Sequence, residues 1–433
     1  MSYPSSIKMH QGYTKLYFYL FIIIIFSYYF LLIYSQSQFM IFSLWCFVFF
    51  LSLINPSLGL ISWIIILPYD IYLVQYYGYS PYMGLTPALI FGFFVYNIVL
   101  KFNYHIRVKS ILFVYLLIFV SFASWFLNNE PQMYRNIVSI LLLVIVFLII
   151  SWEIELKSSS FWMFCIAVIA ASLLSIIEAG ISNWSWRIDL GGNVRVISNI
   201  YGLNMVLLAG SMLSKPKSNY FIPLKKAKIA ALILFCLNGI LLFYTVSRGV
   251  VLSVLISTSF MYLICCFWKN ASINFNKKYY FWIAVSVMAI GAVGIHYFGS
   301  AGQQMLSRLL LSPLENIRIS IWKETINQLE GFQWLVGAGL GTFRVLSPTN
   351  AYAHSVYVDT FVNLGIIGLI ILLGFMIATT INLIKKRDVL GLGLMVFLAV
   401  SFSTHGSLSN KYFWLILALC YGLSIVKNGM SAE

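Results

Sequence analysis

Residues 17–34 read YFYLFIIIIFSYYFLLIY, a stretch of 18 residues without a charged side chain. Residues 139–150, SILLLVIVFLII, have the same character. A membrane-spanning helix needs about 20 mostly apolar residues, and a backbone in lipid must satisfy its own hydrogen bonds, which favours helices. Stretches of this kind recur along the chain. The sequence therefore predicts an all-α protein that crosses a membrane many times.

The composition supports a membrane protein of one domain. The 433 residues are 61% hydrophobic and 9% charged, whereas a soluble domain is about 45–50% apolar and about 25% charged. So little charge excludes an ordinary soluble enzyme and, despite the net charge of +15, gives no basic stretch for nucleic acid. We expect residues 1–433 to form a single transmembrane domain.

Apolar runs predict about fourteen spans, with a range of 12 to 14. They lie at 15–34, 38–54, 58–76, 84–100, 110–128, 136–152, 161–179, 198–213, 228–246, 249–268, 280–298, 355–383, 389–403 and 411–427. Asn55-Pro56 separates the second from the third, which could also be one broken hairpin. With this count, 18 of the 27 basic residues fall on one side, as the positive-inside rule requires of the cytoplasm, and both termini are cytoplasmic.

The nine basic residues on the other side are mostly arginine, with seven Arg and two Lys, whereas sixteen of the eighteen inside are Lys. Charge alone sets topology, but only arginine offers a planar fork that binds phosphate oxygens in pairs. The bias predicts a site on the outer face that binds an anion, with phosphate as the expected ligand. The alternative is that these arginines contact lipid headgroups or pair with nearby acids.

The longest segment outside the predicted spans is residues 299–354, which we call the outer loop. Its stretch LENIRISIWKETINQL, residues 314–329, has apolar residues at helical spacing and predicts a short amphipathic helix on the membrane surface that presents Arg318 and Lys323. The run VGAGLG at 336–341 is typical of turns and is no phosphate loop, because no Lys-Ser/Thr follows.

Two histidines are candidate bases on the outer face. Residues 350–369, NAYAHSVYVDTFVNLGIIGL, place His354 in the first turn of a span, where the positive helix end favours a neutral imidazole. Asp359 is five residues on and about 140° around the helix, so we do not expect it to orient His354. Tyr357 lies on a closer face. His405, between the last two spans, is a rival base.

Motifs in the last half of the chain resemble a known family. They are Ser247-Arg248-Gly249, RISIW at 318–322, GAGLGTF at 337–343 and HSVYVDTFVNLGIIG at 354–368. In this order and on one predicted side, they resemble the C-terminal region of the O-antigen polymerases (Wzy) and O-antigen ligases (WaaL). RVISNIYGLN at 195–204 weakly resembles an Arg element of the same family, although Ser198-Asn199-Ile200 stands where that family often has Asn-Pro-Asn.

The resemblance implies an inverting glycosyltransferase of GT-C-like architecture in the bacterial inner membrane, with its active site in the periplasm. The implied partners are an undecaprenyl-pyrophosphate-linked oligosaccharide, membrane lipid and a chain-length regulator protein, with no nucleic acid. The candidate site residues, catalytic first and substrate-binding second, are Arg248, Arg318 and His354, then Arg195, Arg187, Arg308, Tyr357 and Trp322. The outer acids form no pair suited to a metal, so we expect no metal and no cofactor.

Three functions remain open at this point. A polymerase would pass the glycan to another lipid-linked repeat, which we favour, whereas a ligase would pass it to lipid A-core. A lipid-oligosaccharide flippase is the third. Transporters usually place ionisable groups at mid-membrane and are often built from two repeats, whereas the predicted spans here are almost bare at mid-depth and show no repeat.

Overall fold

The computed structural model describes residues 38–67, 82–97, 108–128, 133–156, 158–181, 194–213, 224–245, 247–268 and 317–426. All regular structure in these ranges is helical. The helices, in chain order, are α1 (Gln38–Ile54), α2 (Pro56–Ile66), α3 (Tyr82–Val95), α4 (Val108–Asn128), α5 (Met133–Leu156), α6 (Ser158–Ile181), α7 (Val194–Leu213), α8 (Leu224–Tyr244), α9 (Arg248–Phe267), α10 (Ile317–Asn327), α11 (Gln333–Val336), α12 (Phe343–Leu346), α13 (Val356–Lys386), α14 (Val389–Thr404) and α15 (Lys411–Ile425).

The all-α prediction is confirmed for the described residues. Helices lie at the positions of twelve of the fourteen predicted spans, and the other two, 15–34 and 280–298, fall outside the described ranges. Among the described residues, three helical stretches are long and apolar enough to cross a membrane, namely Asn136–Glu155, Arg248–Phe267 and Val356–Lys386. The remaining apolar helices are shorter. Asn55 does separate two helices, because its side chain caps α2 by accepting the Ser57 N–H at 3.1 Å.

The centre of the core is α15. Its residues from Tyr412 to Tyr421 are all buried, as expected of a helix that is apolar all round. It packs against α5, α13 and α14. Aromatic rings join these helices: Phe147 of α5 lies 6.0 Å from Trp414 of α15 and 5.7 Å from Phe375 of α13, measured between ring centroids. Helices α7, α9 and α14 pack against one another beside this centre.

Helix α13 is broken near its outer end. Gly365 has φ 66° and ψ −169°, which interrupts the helix. The break leaves the carbonyl oxygens of Val362 and Asn363 to accept the N–H groups of Ala338 and Gly339, at 2.8 and 3.0 Å. A side chain at position 365 would have its Cβ 2.2 Å from the Leu335 carbonyl oxygen. The glycine run of the outer loop is therefore docked directly into the broken helix.

The described part of the outer loop folds around a small core of its own. Leu329, Ala338, Phe343 and Ala353 are buried together with Val362 of α13. The predicted helix is present as α10, but Ile321, Trp322 and Ile326 pack on this core, so its apolar face contacts protein where we had expected membrane. The interpretation of the glycine run as turns is confirmed, because Gly337, Gly339 and Gly341 all have positive φ.

Candidate functional site

Arg318 lies at the centre of the candidate site. It projects from the first turn of α10, and its Nη1 donates to the Thr404 carbonyl oxygen at 2.8 Å. This bond joins the outer loop to the end of α14. Burial lowers the pKa of the Arg318 guanidinium, and the neighbouring positive charge of Arg248 lowers that pKa further. The structure thus brings together two of the three predicted catalytic residues, from α9 and α10.

Each residue of the Ser-Arg-Gly motif has a local role. Ser247 precedes the first turn of α9, and its Oγ lies 3.2 Å from His405 Nε2. Arg248 is the first residue of the helix and is partly exposed. Gly249 lies against the imidazole, since a Cβ there would be 2.4 Å from His405 Cε1. Because position 249 is glycine, the start of α9 approaches His405 closely enough for the Ser247 hydroxyl to reach the imidazole.

The loop between α14 and α15 is fixed from several helices. His405 is 5% exposed, and its Nδ1 lies 2.8 Å from the hydroxyl of Thr404. The Leu408 N–H donates to Asp359 Oδ2 at 2.8 Å, and the Trp414 indole N–H donates to the Leu408 carbonyl at 2.7 Å. Asp359 therefore anchors the loop that carries His405. This bond agrees with the expectation that Asp359 does not orient His354.

His354 does not lie in the first turn of a helix, and that expectation was wrong. Helix α13 begins at Val356, and Ser355 is its N-cap, with a side chain that accepts the Val358 N–H at 3.4 Å. His354 precedes the cap in the left-handed region, at φ 52°, and is partly exposed. Because Ser355 caps the helix, His354 lies before the first turn in which hydropathy had placed it.

The segment before His354 is held by α10 and by an exposed cation. The Trp322 indole donates to the Ala353 carbonyl at 2.7 Å, so α10 carries Arg318 on one turn and supports the neighbour of His354 from the next. The Tyr352 ring centroid lies 6.3 Å from that of His354. The Arg344 guanidinium lies over Tyr352, 5.1 Å from its centroid. Arginine, tyrosine and histidine thus form a row at the loop surface.

The remaining predicted site residues fall into two groups. The side chains of Trp322 and Tyr357 both donate hydrogen bonds to backbone carbonyls, and Tyr357 donates to Ala399 at 3.1 Å. Arg195 lies in the first turn of α7, and nothing is described of its side chain, while Arg187 and Arg308 lie outside the described residues. Asn199, one turn after Arg195, accepts a bond from Ser401 Oγ at 2.9 Å, which ties the start of α7 to the end of α14.

Thr404 was not identified from the sequence, although it holds both Arg318 and His405. Asn128 and Asn136 were not identified from the sequence either. Their side-chain amides donate to the carbonyls of Gly337 and Leu340 at 3.0 and 3.1 Å. The polar run FSTHGSLSN at 402–410 between two apolar helices was the available signal for Thr404. The two asparagines stand at helix ends, where the sequence offers no clue to a partner some two hundred residues away.

The arrangement suits an anionic, multiply charged oxygen ligand. The guanidinium groups of Arg248 and Arg318 come from separate helices to the end of α14, and that of Arg318 is half-buried. The partly exposed imidazole of His354 lies on the same loop as Arg318. Guanidinium groups bind phosphate through paired N–H bonds, and their positive charge favours an anion between them. An imidazole can take up a proton near neutral pH.

Comparison with known proteins supports the resemblance drawn from the motifs. Residues 230–373 match the family model described as O-antigen ligase. The matched segment runs from α8 into α13 and includes Arg248, Arg318 and His354, but it ends before His405. No curated protein matches the chain in a sequence comparison. The match makes this chain similar to the membrane enzymes of the O-antigen ligase and polymerase family.

Proposed function

We propose that the chain is a metal-independent, inverting glycosyltransferase of the inner membrane that elongates a polysaccharide at the periplasmic face. The donor is an undecaprenyl-pyrophosphate-linked glycan, and the acceptor is a sugar hydroxyl of another lipid-linked repeat unit. The observation that carries this proposal is that two helices far apart in the chain bring their arginines to the end of α14: Arg318 donates to the Thr404 carbonyl, and Gly249, next to Arg248, lies against Thr404 and His405. A diphosphate bound by both guanidinium groups would explain why the fold brings two like charges together.

Two features of the site make the charged form of Arg318 costly. Burial and a like-charged neighbour both disfavour the charged form of Arg318, as the lowering of its pKa records. A bound anion with two charges would offset both effects at once, and it would meet guanidinium groups already held in place. Only one N–H of Arg318 is engaged by Thr404, and a guanidinium has five donors. The bond to Thr404 thus orients the group while leaving donors for phosphate.

His354 suits the role of base better than His405 does. Both ring nitrogens of His405 lie within hydrogen-bond distance of hydroxyls, and the ring is 5% exposed. A proton acceptor for a sugar hydroxyl must be reachable by that hydroxyl. His354 is partly exposed and lies on the loop that carries Arg318. We therefore assign proton removal to His354 and the positioning of the two arginines to His405.

In the proposed reaction, the acceptor hydroxyl oxygen attacks the anomeric carbon of the donor sugar from the face opposite the leaving group. Its proton passes to the His354 imidazole. The bond from the anomeric carbon to the diphosphate oxygen breaks, and undecaprenyl pyrophosphate leaves with the electron pair. Arg248 and Arg318 stabilise the negative charge that develops on the diphosphate. Arg195, Arg187 and Arg308 are proposed to extend this cationic surface, and the ring faces of Trp322 and Tyr357 to contact sugar.

A ligase is the second candidate, because the matching family model carries that description. The two differ only in the acceptor. The deciding experiment is deletion of the gene and analysis of the lipopolysaccharide by gel. A polymerase deletion leaves a single repeat on lipid A-core, whereas a ligase deletion leaves none. Purified protein in liposomes with the lipid-linked repeat should lengthen the glycan. Absence of any transfer to either acceptor would refute the glycosyltransferase proposal.

A further inference from the structure

The short helix α11 of the outer loop has an apolar exposed surface. Phe332, just before it, is 70% exposed, and Trp334 and Leu335 are each 44% exposed. These are large side chains on a segment that hydropathy places outside the spans. Exposed aromatic residues in a membrane protein are typical of the boundary between lipid and water. The depth of α11 relative to the membrane can be read from the two long helices that it contacts, α13 and α4.

Helix α13 changes character at Gly365. Before the break, its polar residues Asp359, Thr360 and Asn363 are buried in protein. After the break, an exposed stripe begins at Ile366 and includes Ile370, which is 61% exposed, and further residues down to Ile384. The 21 residues from Ile366 to Lys386 span about 32 Å at 1.5 Å per residue, close to the ~30 Å of a hydrocarbon core. A hydrocarbon core that begins at Lys386 would therefore end close to Gly365.

Helix α4 gives the same boundary independently. Its exposed stripe includes Phe119, Phe122 and Phe126, the last of which is 81% exposed. The helix has 21 residues and ends at Asn128, which again gives about 32 Å of length. Asn128 donates to the Gly337 carbonyl at 3.0 Å, and Gln333 of α11 donates to Asn128 Oδ1 at 3.0 Å. The end of the α4 stripe thus lies beside α11.

The backbone next to α11 is satisfied in the way required at this depth. Non-helical backbone near hydrocarbon is tolerated only when protein supplies its hydrogen bonds. Here the N–H groups of Ala338 and Gly339 donate to the broken helix α13, and the carbonyls of Gly337 and Leu340 accept from the asparagines of α4 and α5. The glycine run can therefore lie at the membrane boundary with its polar groups paired.

We propose that residues 331–336 lie in the headgroup region of the membrane leaflet opposite Lys385 and Lys386, with Phe332, Trp334 and Leu335 in contact with lipid acyl chains. Their surface continues the exposed stripes of α4 and α13, which identifies lipid as the occupant. Gly365 marks the hydrocarbon boundary. The turns from Val356 to Leu364 then stand outside the hydrocarbon and raise the Arg318 and His354 region above the lipid. This proposal does not depend on the reaction proposed above.

Spin labels test the depth directly. The six native cysteines are replaced, the amount and melting temperature of the purified protein are compared with those of the parent, and single cysteines are introduced as Phe332→Cys, Leu335→Cys, Ile370→Cys and Glu324→Cys. Ile370 is the lipid-facing control, and Glu324, exposed on α10, is the water-facing control. The labelled protein is placed in phosphatidylethanolamine and phosphatidylglycerol liposomes. Relaxation by oxygen, which concentrates in lipid, is compared with relaxation by a water-soluble nickel chelate.

We expect labels at 332 and 335 to respond between the labels at 370 and 324, with stronger relaxation by oxygen and a weaker nickel effect than at 324. Nickel relaxation at 332 equal to that at 324 would overturn the proposal. Protection of 332 from both reagents, with spin–spin broadening that disappears on dilution with unlabelled protein, would also overturn it and identify a second copy of the chain on this surface.

Discussion

The two candidate histidines, His354 and His405, differ in how the protein holds them. His405 lies in the loop between α14 and α15, buried, with a hydroxyl beside each ring nitrogen. His354 lies on the outer loop in a left-handed backbone conformation, partly exposed, next to the exposed ring of Tyr352. Hydropathy treats them alike, as single imidazoles at the ends of spans. Accessibility and hydrogen-bond partners, which hydropathy does not reveal, are therefore what separate the roles proposed for the two residues.

The largest expected effect is that of His354→Ala. If His354 removes the proton of the acceptor hydroxyl, its loss should lower the transfer rate by about 10²–10⁴-fold, and cells should make no long polymer. The measurement is the polymer ladder in a deletion strain, with the variant protein quantified in membranes to exclude loss of expression. Full-length polymer from His354→Ala at normal protein level would remove the assignment and leave His405 to be tested as the base.

Arg318 offers the next largest effect and a matched control. Arg318→Ala removes one of the two guanidinium groups and its bond to Thr404, and should lower the rate by about 10²–10³-fold. Arg318→Lys keeps the charge but lacks the planar fork, so we expect activity between the two. Lys323→Ala, an exposed position on the same helix, should leave the rate unchanged.

Equal loss of activity from Arg318→Ala and Lys323→Ala would mean that any positive charge on α10 serves, and that no diphosphate is bound by Arg318 in particular. The turnover of purified protein with lipid-linked donor distinguishes these outcomes, because it measures glycosyl transfer apart from the other steps that deliver polysaccharide to the cell surface.

Gly365 tests whether docking of the outer loop onto α13 is needed for stability and activity. Gly365→Ala places a Cβ 2.2 Å from the Leu335 carbonyl oxygen, and the backbone at φ 66° and ψ −169°, which essentially only glycine adopts, alone costs an alanine about 1–3 kcal/mol. The clash adds to this cost, so we expect a lower melting temperature in detergent and shorter polymer. Gly374→Ala is the control in the same helix, because a Cβ at that position meets no atom within 4 Å, and it should melt like the parent protein.

The helix positions were predictable because apolar runs are long and local. Hydropathy found α4, α5, α9, α13 and α15 within a few residues of their ends. It did not find the break at Gly365, because a glycine inside an apolar run is common in membrane helices. The break depends on the outer loop, which fills the gap with backbone donors from Ala338 and Gly339. A contact between segments distant in sequence leaves no local pattern.

The site was predictable in part for the same reason. Arg248 and Arg318 were identified because the arginines are concentrated on the predicted outer side and each of these two lies in a motif. The structure brings both to the end of α14, where Arg318 bonds Thr404 and Gly249, next to Arg248, lies against Thr404 and His405. The role of His405 could not be read in advance, since its bond to Ser247 joins residues 158 positions apart. Nor could the position of His354 relative to α13, which depends on Ser355 acting as the cap.

The smallest effect, and the one that separates the two histidines most clearly, is that of His405. His405→Ala removes the partner of Ser247 and Thr404, and disruption of a buried hydrogen-bond pair costs about 1–3 kcal/mol. The His405 ring contacts Ser247, which precedes Arg248 at the start of α9, and Thr404, whose carbonyl binds Arg318. We therefore expect the variant to bind the donor more weakly. KM for the lipid-linked donor should rise about tenfold, the equivalent of ~1.4 kcal/mol, with kcat reduced much less.

His405→Gln provides the control, because its amide can still reach the Ser247 hydroxyl in place of Nε2, and it should recover part of the donor affinity. A structural defect without a link to the arginines would lower the amount of folded protein and leave KM unchanged. A fall in kcat as large as that of His354→Ala, with KM unaltered, would instead reverse the two roles. The split between KM and kcat therefore decides whether the buried imidazole positions the arginines or takes the proton.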